Sequence, residues 1–253
     1  MCQKIHGAAF GTYCFVKPNE IVWTSDTKSI VHYESSKALV RSSCSTCGSV
    51  VPYASKAGDH WVAPGGCHDE MRKPDYNIFV VDSSPWHTIN SDLPQCNEYP
   101  NESGIASVGG IPVPRTTAGP VLGSCLCGAI SYEVTEEFQV SRNCHCSRCR
   151  HGRAAAHASN GLVSFTGVKY LSGEDRLRIY KVPDAKFFAQ AFCDTCSSLM
   201  PYRDPERNIS IVPLSSLDVV PNTKPSEHIH TASKADWHDI TDELPQYQQG
   251  PAT

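Results

Sequence analysis

The chain has 253 residues, of which 40% are hydrophobic and 19% charged, and its formal net charge is -4. That length suits two ordinary domains, each with its own core, and the charge balance excludes a surface built as a whole to bind nucleic acid or another polyanion. The opening residues lack the positive start, apolar run and small-residue cleavage site of a secretory signal, and no apolar run approaches the roughly 18 residues that span a bilayer, so a soluble cytoplasmic protein with no membrane partner is the expectation.

In chain order, the first residues are MCQKIHGAAFGTYC, followed by the pair Cys44 and Cys47 in SCSTCGSVVPY and the segment PWHTINSDLPQ at 85–95. Each returns later: FCDTCSSLMPY at 192–202 and DWHDITDELPQ at 236–246. Between these anchors Cys2 aligns with Cys149, Ala8 and Ala9 with Ala155 and Ala156, Val16 with Val163, Tyr33 with Tyr180, Asp69 with Asp218 and Trp86 with Trp237. The chain is one unit written twice. A truncated copy spans 1–98, a Gly, Pro, Ser and Thr-rich linker 99–120, a complete copy 121–247 and a tail 248–253. The first copy has no counterpart of residues 123–148, which carry four cysteines.

In the complete copy the segments AISYEV, VKYLSG, LRIYKV, KFFAQAFC, NISIVPLSS and EHIHTAS are short, β-branched or aromatic, and bounded by turn residues. They predict a mainly β domain. One short helix is expected around 153–158, where three alanines favour a turn or two.

Thirteen cysteines is an odd number, which argues against a fully paired disulfide framework. Cys125 and Cys127 stand as C-x-C, and residues two apart on a strand share a face. Cys193 and Cys196 form a C-x-x-C knuckle, and joined together the two pairs supply the four thiolates of a closed zinc site, a reading that two close pairs in one small domain favour over two unrelated pairs of buried free cysteines. Cys144, Cys146 and Cys149 form a C-x-C-x-x-C triplet without a fourth cysteine of its own. Three thiolates leave an open position of the kind catalytic zinc sites use, unless His151 or His157 closes it. Such a zinc carries one net negative charge and suits an incoming thiolate better than a water. Arg142, Arg148, Arg150 and Arg153 surround the triplet and are able to offset that charge or pair with substrate carboxylates; any one of them also reads as a solvated surface residue. Trp237 reads as core; Tyr53 and Tyr202 follow proline just after the knuckles, within reach of a site, though packing is the stronger reading of both. No phosphate-binding glycine loop and no Ser-His-Asp spacing is present.

GSCLCGAISYEV, CHCSRCR, CSTCGSVVPY and WHDITDELPQ together resemble the glutathione-dependent formaldehyde-activating enzyme and centromere-protein-V family. The resemblance covers nearly all of 121–247 and, through the repeat, 2–96. It implies a β-tent zinc-binding fold (Mss4-like) in two tandem copies. It also implies a structural zinc on Cys125, Cys127, Cys193 and Cys196, and an active-site zinc on Cys144, Cys146 and Cys149, the catalytic set. The implied activity is that of a carbon-sulfur lyase, which joins a thiol such as glutathione to an aldehyde as an S-hydroxymethyl adduct, with Arg148, Arg150 and Arg153 as substrate-binding candidates. The alternative is a non-catalytic, zinc-stabilised module for protein or chromatin contacts, with the triplet fully ligated. A third reading has Cys44 and Cys47 borrow Cys2 or Cys14 for a makeshift site. The pattern departs from the family in two places: charge follows the triplet in RHGRAAAHASN where the first copy has HGAAFGTY, and Ser197 replaces Gly48 at a turn that favours glycine. Homodimerisation is left open by the sequence.

Overall fold

The computed structural model describes residues 1–37, 39–100 and 119–250. It is built of short strands in small sheets, with two brief α-helices among the described residues. Most of the expected linker, 101–118, and the end of the tail, 251–253, lie outside the described residues.

The complete copy contains three sheets. The first joins β7 (Val121–Ser124), β8 (Ser131–Val134) and β11 (Val168–Ser172). The second runs β15 (Tyr202–Asp204), β16 (Ile209–Pro213), β10 (Ala158–Ser164), β9 (Val140–Cys144), β17 (His228–Ile229). The third joins β12 (Leu177–Lys181), β13 (Ala189–Cys193) and β14 (Leu199–Met200). All pairings are antiparallel except β17 with β9. Period-two alternation drives this: Ile130, Tyr132 and Val134 point inward and are buried with Val163, Ala191, Met200, Tyr202, Val212 and Leu214.

The first copy repeats two of the three sheets. β1 (Tyr13–Val16), β6 (Trp61–Pro64) and β5 (Tyr53–Ala54) match β10, β16 and β15; β2 (Ile30–Ser36), β3 (Leu39–Cys44) and β4 (Val50–Val51) match β12, β13 and β14. The sheet of β7, β8 and β11 has no counterpart there. Residues 21–25, which align with β11, form no strand because no neighbour offers them hydrogen bonds.

The expected helix is displaced. α2 covers Ser147–Arg153 and includes Cys149, and Ala154 ends it in the left-handed conformation with φ 50. Helix propensity yields here to packing. Ala154, Ala155 and Ala156 are buried small residues that the first copy approaches closely: a Cβ on Gly66 would lie 2.0 Å from the backbone nitrogen of Ala155.

The copies pack reciprocally. α1 (Cys2–His6) lies against the turn at 214–216, and α2 against the equivalent turn at 65–67. Lys4 Nζ reaches Asp218 at 2.6 Å, while His151 Nε2, at the position equivalent to Lys4, reaches Asp69 at 3.3 Å. His6 Nδ1 meets the Arg153 carbonyl at 2.6 Å, and the Ser159 N–H donates to the Gly7 carbonyl at 3.2 Å.

Candidate functional site

Two groups of thiols converge, and each has its sulfurs within 4.8 Å of one another. The first is Cys125, Cys127, Cys193 and Cys196. The β7–β8 turn carries the C-x-C, with Gly128 at φ 76 permitting the tight return, and the β13–β14 turn carries the knuckle. Cys125 and Cys127 Sγ are 3.4 Å apart, and Cys127 and Cys193 Sγ 3.7 Å. Four sulfurs at about 2.3 Å from a tetrahedral zinc lie about 3.8 Å apart, so this donor set fits that ion. The backbone N–H of Ile130 and of Thr195 points at Cys125 and Cys193 Sγ, as suits thiolates. Burial, then the charges of Cys196 and Cys193, push Cys127 up to about 11, a cost that a bound cation removes. Ser197 follows the knuckle at φ 56, so serine takes the left-handed turn that Gly48 takes at φ 76.

The second group is Cys144, Cys146 and Cys149. Cys144 ends β9, Cys146 caps α2, and Cys149 lies in its first turn; Cys146 Sγ accepts the Cys149 N–H at 3.3 Å. The Cys144 and Cys149 thiols, and after them that N–H, lower Cys146 far below the ordinary thiol range. Three soft donors in reach of one centre fit a zinc with one further position. Neither histidine candidate joins them: His151 faces Asp69, and His157 lies among other rings. No group of three or more ligating residues among the described ones includes Cys2, Cys14, Cys44 or Cys47, so the makeshift site does not form.

The four arginines separate. Arg142 pairs with Glu227; Arg150 is buried, bonding the Ser233 carbonyl and Asp69; Arg148 is exposed. Arg153 is buried without an acidic partner, and burial, partly opposed by Cys149 and Cys144, lowers it to about 10.

A set of imidazoles behind the triplet was not anticipated. His145, between two of the thiols, is wholly buried, and its ring lies 5.0 to 5.7 Å from those of His228, His157 and His238. Burial lowers His145 to about 2 and His238 to about 4, so both are neutral at pH 7. His145 Nε2 meets His228 Nδ1 at 2.8 Å, and His228 Nε2 meets the Asp242 carboxylate at 3.0 and 3.1 Å. At the equivalent place in the first copy, Asn77 Nδ2 donates to Ser91 Oγ at 2.9 Å. The copy with the triplet thus carries His and Asp where the copy without it carries Asn and Ser. That contrast was available in the alignment of EHIH and DITDELPQ with their counterparts. In the first copy Cys2, the counterpart of Cys149, accepts from Arg41 Nη2 at 3.2 Å instead of facing other thiols.

The family model described as glutathione-dependent formaldehyde-activating enzyme matches residues 1–82 and 120–233. A solved structure of a Rhodobacter sphaeroides protein, a structural genomics target, is similar at 24% identity over 41% of this chain and 97% of that one, with a TM-score of 0.32. Comparison with curated proteins gives no match. Matched through both copies and over more than half of its length, the chain belongs to the glutathione-dependent formaldehyde-activating enzyme family.

Proposed function

We propose that the second copy joins a glutathione-type thiol reversibly to an aldehyde such as formaldehyde, acting as a carbon-sulfur lyase on the S-hydroxymethyl adduct. The observation that carries this reading is the triplet: three thiols converge, and no fourth ligand from the described residues completes the set. Zinc held there supplies one position for a substrate sulfur and favours its thiolate at neutral pH. In the addition the sulfur bonds to the aldehyde carbon and the carbonyl oxygen takes up the thiol proton, so no electrons are gained or lost.

The chain's own part is positioning. Reciprocal packing between the copies holds α2 and with it Cys149. The Asp242, His228 and His145 series fixes the backbone between Cys144 and Cys146. Arg148, exposed next to Cys149, is the group free to meet a substrate carboxylate, while Arg153 bears on Cys149 and Cys144 from the buried side and Arg150 is held by the Ser233 carbonyl and Asp69. His230, half-buried, lies near enough to Cys146 to favour its thiolate.

The test is adduct formation from ¹³C-formaldehyde and glutathione, followed by NMR exchange, with zinc counted on the same sample. Acceleration over the uncatalysed reaction that Cys146→Ser abolishes is expected. A protein with both thiol groups metallated and no effect on the exchange would overturn the reading.

A further inference from the structure

The first copy keeps half of a four-thiol site in finished form. In the complete copy the knuckle is set by Ser197 N–H to Cys193 O (2.9 Å), Cys193 N–H to Ser198 O (3.0 Å) and Cys196 Sγ to Ser198 Oγ (3.3 Å). The first copy repeats all three: Gly48 to Cys44 at 2.8 Å, Cys44 to Ser49 at 2.9 Å and Cys47 Sγ to Ser49 Oγ at 3.3 Å. Cys44 and Cys47 stand at either end of that turn. They are half-buried, whereas Cys193 and Cys196 are 0% exposed, covered by the turn that carries Cys125 and Cys127.

The place where that turn's hairpin would sit is also open. In the complete copy Ile130 and, from β8, Tyr132 and Val134 share one core cluster with Tyr170, Leu177, Ala189, Ala191 and Tyr202. The counterparts of those five, Trp23, Ile30, Val40, Ser42 and Tyr53, line a cavity of about 410 Å³. Beside it, residues 21–25 have the sequence of a strand but no neighbour to pair with, leaving Val22 79% and Trp23 39% exposed. An unpaired strand segment next to an aromatic cavity is a site for strand addition.

We propose that the first copy binds, in the seat that β7 and β8 fill in the second, a β-hairpin with a C-x-C turn supplied from outside these 253 residues, its two thiolates joining Cys44 and Cys47 around one zinc ion. The occupant is defined by what fills the same seat in the other copy: C-x-C, then apolar side chains at alternate positions, the central one aromatic. Pairing with residues 21–25 gives it register, the cavity takes the aromatic ring, and metal closure supplies affinity that a short hairpin lacks by itself. This proposal is independent of any lyase activity, because it uses neither the triplet nor its substrates.

A synthetic peptide of residues 121–135 serves as the probe, added to the zinc-loaded full chain and followed by calorimetry and by zinc counting after gel filtration. One peptide bound per chain with uptake of one additional zinc is the expected result. The same peptide with Cys125→Ser and Cys127→Ser should bind at least tenfold more weakly and bring no zinc, as should the parent peptide with a chain carrying Cys44→Ser and Cys47→Ser. With cobalt in place of zinc, peptide addition should raise thiolate-to-metal absorption. A zinc count unchanged by peptide, or equal binding of the serine peptide, overturns the proposal. So does a third zinc taken up without peptide, since the pair would then find its ligands in this chain or in a second copy of it.

Discussion

Phe10 and His157 occupy equivalent positions in the two copies and touch each other edge to face, their ring centroids 5.4 Å apart. A residue meets its own counterpart only at the axis that relates them, which is the arrangement of an isologous dimer. The chain therefore carries a dimer-like pair within itself, with α1 and α2 on either side of that axis. The first copy acts as the second subunit, and it is packed against the helix that carries Cys149.

Gly66 is where this packing is tightest. A Cβ there meets the backbone of Ala154 and Ala155, which cannot swing aside as a side chain would. Gly66→Ala should lower the unfolding free energy by about 2 kcal/mol or more, read from the urea midpoint. It should also weaken metal retention by the triplet; an unchanged midpoint would show that the copies do not pack this way in solution.

Zinc content separates the two thiol groups from the incomplete pair. Cys196→Ser should remove one zinc per chain and with it much of the stability of the complete copy, since metal binding to such sets is coupled to folding. Cys44→Ser in the chain alone should leave the count as it was. Atomic emission on purified variants decides both.

His6 makes stability depend on pH. It is wholly buried, donating from Nδ1 to the Arg153 carbonyl and facing the Tyr13 hydroxyl through Nε2 at 2.6 Å. Burial, with a contribution from Arg41, lowers it to about 4. The unfolded chain, with an imidazole near 6.5, then binds more protons between those values, so stability rises with pH across that window. This contribution is fully present above about pH 6.5, is lost as pH falls toward 4, and amounts to about 3 kcal/mol. His6→Gln should make the dependence between pH 6.5 and 4.5 in urea titrations shallower, the other buried imidazoles such as His238 keeping the remainder; identical losses in both proteins would contradict the assignment.

The His228 and Asp242 pair can be exchanged for the pair the first copy uses. His228→Asn with Asp242→Ser should fold with stability within about 1 kcal/mol of the parent, because Asn77 and Ser91 show that the fold accepts that bond. Adduct exchange should nevertheless fall about 10-fold or more, as for other groups that orient metal ligands indirectly. Retained exchange would restrict the pair to a structural role.

Much of the candidate site was legible from spacing. C-x-C, C-x-x-C and C-x-C-x-x-C place thiols on one turn or strand end, and the fold then brings the first two groups to a common centre while the triplet meets locally. Strand positions were equally plain in AISYEV and NISIVPLSS, because alternation survives in short segments. The helix was misplaced onto Arg153–Ala158 because alanine's preference for helix is worth only a few tenths of a kilocalorie per residue. That preference loses to the close approach of Gly66. The roles of Arg150 and His151 were also hidden, since Asp69, the partner of both, lies in the other copy.

The sequence by itself determined that one unit is repeated, that within these 253 residues a segment bearing four cysteines stands in the second copy alone, and that the cysteines fall into C-x-C, C-x-x-C and C-x-C-x-x-C groups, because these follow from identity and short-range spacing. Only the tertiary structure decided how the copies face one another, that Cys125 and Cys127 meet Cys193 and Cys196, and that Asp242 and His228 stand behind the triplet. Those relations join residues far apart in the chain, and what sets them is shape and burial at the contact between the copies, which no local pattern encodes.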